Sequence, residues 1–124
     1  MDERLAVILT VERRAFPRQP ARPNRSILEW WDGEVTRSSP GRLLNISPAG
    51  ALVRLEGPPT INQQVWIRME QPARTPWIRG RVVHQGEDRV GLWFLEPCPS
   101  DFLEAALQGI AFGNVLGSLD GRAL

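Results

Sequence analysis

Short apolar segments separated by turn residues run along most of the chain. The clearest is 65–70, which reads VWIRME and alternates apolar with larger or charged side chains. A period of two places successive side chains on opposite faces of a β-strand. Further segments of strand length are 26–31, 51–55, 77–84 and 89–96. With another strand somewhere within 34–44, the count is about six, which is typical of an antiparallel sandwich or barrel.

Turn residues mark the boundaries of these predicted strands. Asp32-Gly33 predicts a two-residue type I′ hairpin turn, because both residues tolerate positive φ. The tripeptide Ser39-Pro40-Gly41 predicts an interruption of the second strand, and the segment 45–50, NISPAG, is predicted as a turn. The glycine and prolines at 57–59 end the next strand, and 85–88 is predicted to join the last two strands.

The last element has a different period. Pro97 and Pro99 end the final strand, and Ser100 can cap a helix. The buried face of this helix is predicted from the i, i+3, i+4, i+7 pattern, namely Leu103, Ala106, Leu107 and Ile110. The helix is expected to lie across the barrel, so the predicted fold class is all-β with a C-terminal helix.

Length and charge limit the classes of function. A chain of 124 residues is expected to form one domain. Its formal net charge is only +1, which argues against a general binder of nucleic-acid polymers or membrane surfaces. The apolar stretch 5–9 is too short to span a membrane, and the acidic residues at 2 and 3 do not fit a signal peptide. We therefore expect a cytoplasmic protein without membrane insertion.

All 15 basic residues are arginines, and five of them lie within 13–25, RRAFPRQPARPNR, which we call the arginine segment. Base composition of the gene explains most of this usage, but a guanidinium fork also offers planar hydrogen bonding that lysine lacks. The segment contains no acidic residue. Its three prolines exclude a regular helix or a central strand. It is predicted to be an irregular or extended cationic loop.

Catalytic chemistry has little support. The single histidine, His84, lies in a predicted strand, and Cys98 lies between two prolines, where a buried structural role is favoured over a reactive thiol. One cysteine cannot form an internal disulfide. Phosphate-loop and metal-binding motifs are absent from the sequence, so neither an enzyme nor a bound cofactor or metal is predicted.

Two adjacent tryptophans, Trp30 and Trp31, fall on one predicted strand and must point to opposite faces. The outward ring is either a stacking platform for a base or a partly buried aromatic at a sheet edge or subunit contact. The sequence leaves both interpretations open.

The arginine segment contains a spacing with chemical meaning. Arg14 and Arg18 form an R-x-x-x-R motif that Arg13 precedes, and Arg18 and Arg22 form a second one. An arginine fork donates two parallel hydrogen bonds to guanine O6 and N7 or to a phosphate, and its flat face stacks on a purine. Such a pair can bind a ligand that carries guanines and phosphates.

A second motif follows the second predicted strand. Asn45, Ser47 and Gly50 form N-x-S-x-x-G, in which the first two residues offer oriented donors and acceptors and the glycine permits close backbone approach. Alone, this motif is also typical of an Asx or Ser turn, and R-x-x-x-R arises by chance in an arginine-rich chain. The two together predict a site for a small guanine-containing anion.

The order of these features resembles the PilZ domain, a bacterial receptor for cyclic di-GMP. In that family R-x-x-x-R in an N-terminal loop is followed by D/N-x-S-x-x-G, further strands and a C-terminal helix. The resemblance covers about 11–112 and implies a six-stranded antiparallel PilZ-type β-barrel. It divides the chain into an N-terminal extension (1–12), a PilZ-like domain (13–112) and a C-terminal tail (113–124). It favours the Arg14 and Arg18 spacing, because a doubled arginine before an aromatic-Pro-Arg step is common there.

The resemblance implies that residues of both motifs bind cyclic di-GMP, namely Arg13, Arg14, Arg18, Asn45, Ser47 and Gly50. It implies a receptor or adaptor without catalysis, whose arginine-rich loop closes over the ligand and alters the surface offered to a downstream protein. Arg22 is then an accessory or solvated cation. Either terminus is a candidate for a homodimer or partner contact, and the ligand is one molecule or a stacked pair.

Three alternatives remain at this point. A PilZ-like barrel can serve as a protein-interaction module that binds no nucleotide, although the intact motifs argue against it. A small barrel can bind single-stranded nucleic acid through arginine and tryptophan, against which the near-zero net charge counts. An enzyme is the poorest of the three interpretations.

Overall fold

The computed structural model describes residues 17–108, which form an antiparallel sheet and one helix. The strands are Gln19–Pro20 (β1), Arg25–Trp31 (β2), Thr36–Ser47 (β3), Gly50–Leu55 (β4), Gln64–Gln71 (β5), Ile78–Gln85 (β6) and Arg89–Phe94 (β7), and the helix is Ser100–Gln108 (α1).

The sheet closes on itself. Its strand order is β1-β3-β2-β5-β6-β7-β4, and an additional pairing between β3 and β4 joins the two ends of the six longer strands. The prediction of a six-stranded antiparallel barrel with a C-terminal helix is therefore confirmed. The short strand β1 lies in the arginine segment and adds to β3 beyond the end of β2, which agrees with an extended segment that three prolines keep out of the barrel wall.

Alternating apolar residues fill the barrel. Val65, Ile67 and Met69 of β5 are completely buried, as their period of two predicts. Trp30 is 8% exposed and Trp31 is 55% exposed, which confirms that these neighbours point to opposite faces.

The hairpin between β2 and β3 differs from its prediction. Trp31 pairs with Thr36, so the connection has four residues, and only the glycine of the Asp32-Gly33 pair has positive φ. The carboxylate of Asp32 accepts hydrogen bonds from the backbone N–H groups of Glu34 and Val35, at 2.8 and 2.9 Å. The aspartate thus stabilises a longer loop by capping it, and the predicted type I′ turn is wrong.

Strand β3 is continuous where the sequence predicted an interruption. Pro40 pairs with Ile27, and Gly41 pairs with residues of both neighbouring strands. A Cβ on Gly41 would lie 2.8 Å from the carbonyl oxygen of Arg54, so glycine here permits close strand approach rather than a turn. The irregularity comes later, at the shift in register between Leu43 and Asn45.

The segment 45–50 is only partly a turn. Asn45 and Ser47 belong to β3, and the reversal is confined to Pro48 and Ala49 before β4 begins at Gly50. The prediction that all six residues form a turn is wrong, because pairing with strands on both sides keeps the first three extended.

Helix α1 begins at Ser100, as predicted, and packs on the barrel near β3. Its fully buried residues are Phe102, Ala105 and Ala106, and Leu103 and Leu107 pack partly buried against the core. The predicted face was therefore incomplete, since it omitted Phe102, whose ring meets that of Phe94 edge-on at 6.4 Å between centroids. Ile110 lies outside the described residues.

Candidate functional site

The pairing of β1 with β3 brings the arginine segment to the N-x-S-x-x-G motif. Pro20 pairs with Asn45, and the backbone N–H of Ala21 donates to the carbonyl of Leu44 at 3.0 Å. Arg18 therefore extends over the point where β3 turns into β4. Its Nη2 lies 3.3 Å from the position that a Cβ on Gly50 would occupy.

An asparagine between β1 and β2 fixes this arrangement. The side-chain Oδ1 of Asn24 accepts from the backbone N–H of Leu43 at 2.9 Å, and its Nδ2 donates to the Leu43 carbonyl at 3.1 Å. The amide thus pairs with β3 as a strand residue would, at the step between β1 and β2. Asn24 was not predicted as a site residue, and the tendency of asparagine to bond nearby backbone was the one available signal.

Gly50 is required by the barrel itself. It pairs with Trp93 of β7, and a Cβ at this position would lie 2.3 Å from the carbonyl oxygen of Leu92. No side chain fits so close to a backbone oxygen, so only glycine permits the contact between β4 and β7. The same missing side chain leaves room for the guanidinium of Arg18.

Ser47 shapes the turn. Its Oγ accepts hydrogen bonds from the backbone N–H groups of Ala49 and Gly50, at 3.1 and 3.2 Å. The residue is 3% exposed. Ser47 therefore stabilises the turn that separates Asn45 from Gly50, and its own hydroxyl proton is not used in these two bonds.

Asn45 has an unsatisfied polar atom. Its Oδ1 is buried and has no hydrogen-bond partner among the residues that the structure describes. A buried acceptor without a donor costs about 1–3 kcal/mol relative to a satisfied one. The Oδ1 of Asn45 can therefore accept a hydrogen bond from a group outside residues 17–108.

Arg18 carries an unneutralised positive charge. Within the described part of the chain, ion pairs hold five other arginines, and Arg18 has no acidic partner. Partial desolvation of its guanidinium lowers its pKa from the ordinary value, although arginine remains charged at neutral pH. The guanidinium of Arg18 at Gly50 and the unsatisfied amide oxygen of Asn45 thus give the same motif both a donor fork and an acceptor.

Backbone hydrogen bonds join this site to the helix. The N–H of Arg22 donates to the carbonyl of Ala106 in α1 at 2.8 Å, and the N–H of Cys98 donates to the carbonyl of Pro48 at 3.1 Å. The N–H of Phe94 donates to the carbonyl of Ala49 at 2.8 Å. The arginine segment and the turn of the motif are thus both attached to the C-terminal part of the fold.

Comparison with protein-family models gives one result. Residues 12–113 match the model described as the PilZ domain. This chain belongs to the PilZ family. PilZ domains are known to bind cyclic di-GMP and are generally non-catalytic receptors, which supports a receptor role. A search of curated proteins finds no match.

The PilZ motifs are only partly within the described residues. Arg18, Asn45, Ser47 and Gly50 are brought together as described above, whereas Arg13 and Arg14 lie outside residues 17–108. The proposed division into extension, domain and tail stays a prediction, although the family match has similar limits.

Two further residues with reactive side chains, His84 and Cys98, do not belong to these motifs. His84 is exposed on β6, and burial raises the pKa of the Cys98 thiol to about 12, which disfavours the nucleophilic thiolate. No group of three or more metal-ligating side chains converges among residues 17–108. In the same range, no helix has the length and apolarity needed to cross a bilayer.

Proposed function

We propose that this PilZ domain is a non-catalytic cyclic di-GMP receptor or adaptor. The observation that carries the proposal is the placement of the Arg18 guanidinium, which has no acidic partner among the described residues, at Gly50 of the motif whose Asn45 carries a buried, unsatisfied Oδ1. This combination is complementary to a guanine nucleotide, which offers acceptors and negative charge as well as hydrogen-bond donors.

The chemistry divides between the two side chains. Arg18 can donate its two parallel hydrogen bonds to guanine O6 and N7 or to a phosphate. The Oδ1 of Asn45 needs a donor, and guanine carries N–H donors, whereas an ionised phosphate carries none. We therefore assign Asn45 to the edge of a guanine base. Ser47 and Gly50 contribute by forming the turn and by leaving room.

The remaining predicted contacts come from the arginine segment. Arg13 and Arg14 would add further guanidinium contacts when the arginine segment closes over the ligand. Arg22 would remain an accessory cation. Closing the segment costs conformational entropy, and its prolines reduce that cost by restricting the free chain. The bound segment would then present a changed surface to a downstream protein, in keeping with cytoplasmic second-messenger signalling.

The direct test is calorimetric titration of the purified protein with cyclic di-GMP, which reports affinity and stoichiometry together. Replacement of Arg18 by alanine is expected to weaken binding about ten- to a hundredfold, because a charged hydrogen bond contributes about 1.5–3 kcal/mol. The matched control is Arg22→Ala, with a smaller loss. A larger loss of affinity in the control would assign the R-x-x-x-R motif to Arg18 and Arg22 instead of Arg14 and Arg18.

The alternative function has a distinct outcome. If folded protein binds no cyclic di-GMP at high ligand concentration, the barrel serves as a protein-interaction module without nucleotide. Displacement of cyclic di-GMP by a long oligonucleotide would instead indicate a binder of single-stranded nucleic acid.

A further inference from the structure

A second concave surface lies on the outside of the barrel wall, away from the N-x-S-x-x-G motif. It is a groove of about 530 Å³ that runs across β2 and β5 and is rich in tryptophan. Its lining residues are Glu29, Trp30, Trp31, Thr36, Trp66 and Trp77. We call it the tryptophan groove.

The indoles face outward because of strand periodicity. Trp31 follows buried Trp30, and Trp66 lies between two buried residues of β5, so both rings point away from the core. Trp66 pairs directly with Glu29 across β2 and β5. The groove therefore combines flat aromatic surfaces with a carboxylate between them.

One ring of the groove already holds a cation. The guanidinium carbon of Arg68 lies 4.5 Å from the centroid of the Trp77 ring, within the range of a cation–π contact. This contact shows that an arginine side chain fits against the indoles on this face.

One acidic side chain on this face lacks a basic partner among the described residues. Asp32 is paired with Arg37 and Glu70 is paired with Arg68, in both cases at 2.6 Å. Glu29 is half-buried and has no cationic partner among the described residues. A partner that places a positive charge in the groove would satisfy this carboxylate.

The closed sheet restricts the backbone conformation of an extended partner. Both β2 and β5 are hydrogen-bonded on each side, so neither offers a free edge to which a peptide could add as a strand. The partner must therefore be held by side chains while its own backbone stays hydrated. A polyproline II segment meets this requirement, because it has no internal backbone hydrogen bonds and is pre-ordered against aromatic grooves.

We propose that the tryptophan groove is a docking site for a proline-rich segment of a partner protein that carries an arginine. Its prolines pack on Trp31 and Trp66, and its arginine pairs with Glu29. The groove would give the barrel a protein contact that does not use the arginine segment.

The two sites are well separated along one strand. Thr36 lines the groove at the start of β3, and Ser47 lies at its end, so about 36 Å of extended strand separates them at roughly 3.3 Å per residue. Docking in the groove would leave the nucleotide site open, and the two binding events can be measured independently.

The test is a two-dimensional NMR titration with an acetylated peptide of one arginine followed by six prolines. The indole N–H signals, assigned by single tryptophan-to-phenylalanine variants, report directly on the groove. We expect saturable shifts at Trp31 and Trp66, also in the Arg18→Ala protein. Comparable shifts from a peptide with glutamate in place of arginine, or from arginine followed by glycine and serine, would overturn the proposal.

Two side chains that point away from the core provide variants that retain it. Trp31→Ala is expected to weaken the peptide at least about fivefold, as for a residue at the centre of an interface, and Glu29→Gln about two- to fivefold. His84→Ala, an exposed residue of β6 that does not line the groove, should leave peptide affinity unchanged. Without peptide, concentration-dependent shifts of the same indoles would show that a second copy occupies the face, which would contradict the assignment.

Discussion

The backbone N–H of Arg22 donates to the carbonyl oxygen of Ala106, with 2.8 Å between nitrogen and oxygen. This bond joins the chain that carries Arg18 to helix α1. The helix in turn packs on the barrel through Phe102.

Hydrogen exchange should detect this connection. With cyclic di-GMP at about 100 times its Kd, we expect the Arg22 amide to exchange up to about a hundredfold more slowly, because openings that break the site must first release the ligand. The measurement is amide exchange by NMR. The Arg18→Ala protein, with its about ten- to hundredfold weaker binding, should show only about two- to elevenfold protection at the same ligand concentration. Bound wild-type protein with unchanged exchange at Arg22 would contradict the connection.

Asn45→Ala should separate binding from stability. The Asn45 side chain makes no hydrogen bond within residues 17–108, and its buried Oδ1 is unsatisfied there. Its removal relieves a buried unsatisfied acceptor, so the free energy of unfolding is expected to stay unchanged or to rise by up to about 3 kcal/mol. Affinity for cyclic di-GMP should fall about two- to thirteenfold, corresponding to one lost hydrogen bond of about 0.5–1.5 kcal/mol.

The measurements are denaturant unfolding and calorimetry on the same preparation. Loss of stability without loss of affinity would show that Asn45 serves the fold alone.

Gly50→Ala is expected to destabilise the barrel. The added Cβ would lie 2.3 Å from the Leu92 carbonyl oxygen, so β4 and β7 would have to separate. Overpacking of this kind costs about 1–3 kcal/mol, and thermal unfolding would report it as a lower Tm.

Gly86→Ala is the matched control for this substitution. There the nearest atom to an added Cβ is the flexible Cγ of Arg89 at 3.3 Å, and little change in Tm is expected. Equal losses in the two variants would show that the approach of β4 to β7 is not the limiting contact.

Asp32 should contribute to acid sensitivity. Hydrogen bonds from the Val35 backbone N–H, the Arg37 side chain and the Glu34 backbone N–H lower its pKa to about 2. Since the pKa is higher in the unfolded chain, at about 3.9, the carboxylate stabilises the fold above that pH, and the contribution is lost as pH falls towards about 2.

Denaturant unfolding of wild type and Asp32→Asn across this range checks the sign. The stability difference between them should shrink as pH falls from about 4 to about 2. A difference that is constant with pH would mean that the loop does not depend on the ionised carboxylate.

Local patterns were sufficient to predict most strands. The alternation within 65–70 depends only on neighbouring residues, and so does the opposite orientation of Trp30 and Trp31. The position of Asn45 in β3 depends instead on pairing with Pro20 on one side and Leu52 on the other. Partners distant in sequence therefore override the turn tendency of its surroundings.

The two motifs of the candidate site were predictable from their residues, but their proximity was not. Nothing in the local spacing places Arg18 beside Gly50, because that proximity results from the pairing of β1 with β3. Likewise, the sequence predicted that Trp30 and Trp31 point to opposite faces but did not assign the outward ring. The assembly of Trp31 with Trp66 and Trp77 depends on the adjacency of β2 and β5, which two other strands separate in sequence.

The side-chain amide of Asn24 also constrains insertions and deletions. It is fixed to Leu43, while Pro20 is fixed to Asn45, so the few residues between them connect two anchored points on the same strand. Each residue inserted there would have to bulge outward or move Arg18 by roughly 3.3 Å along β3. The loop at 32–35 lies at the opposite end of β3 and can lengthen without that effect. A longer hairpin should therefore leave the position of Arg18 unchanged, whereas the length of the chain between Pro20 and Asn24 determines it.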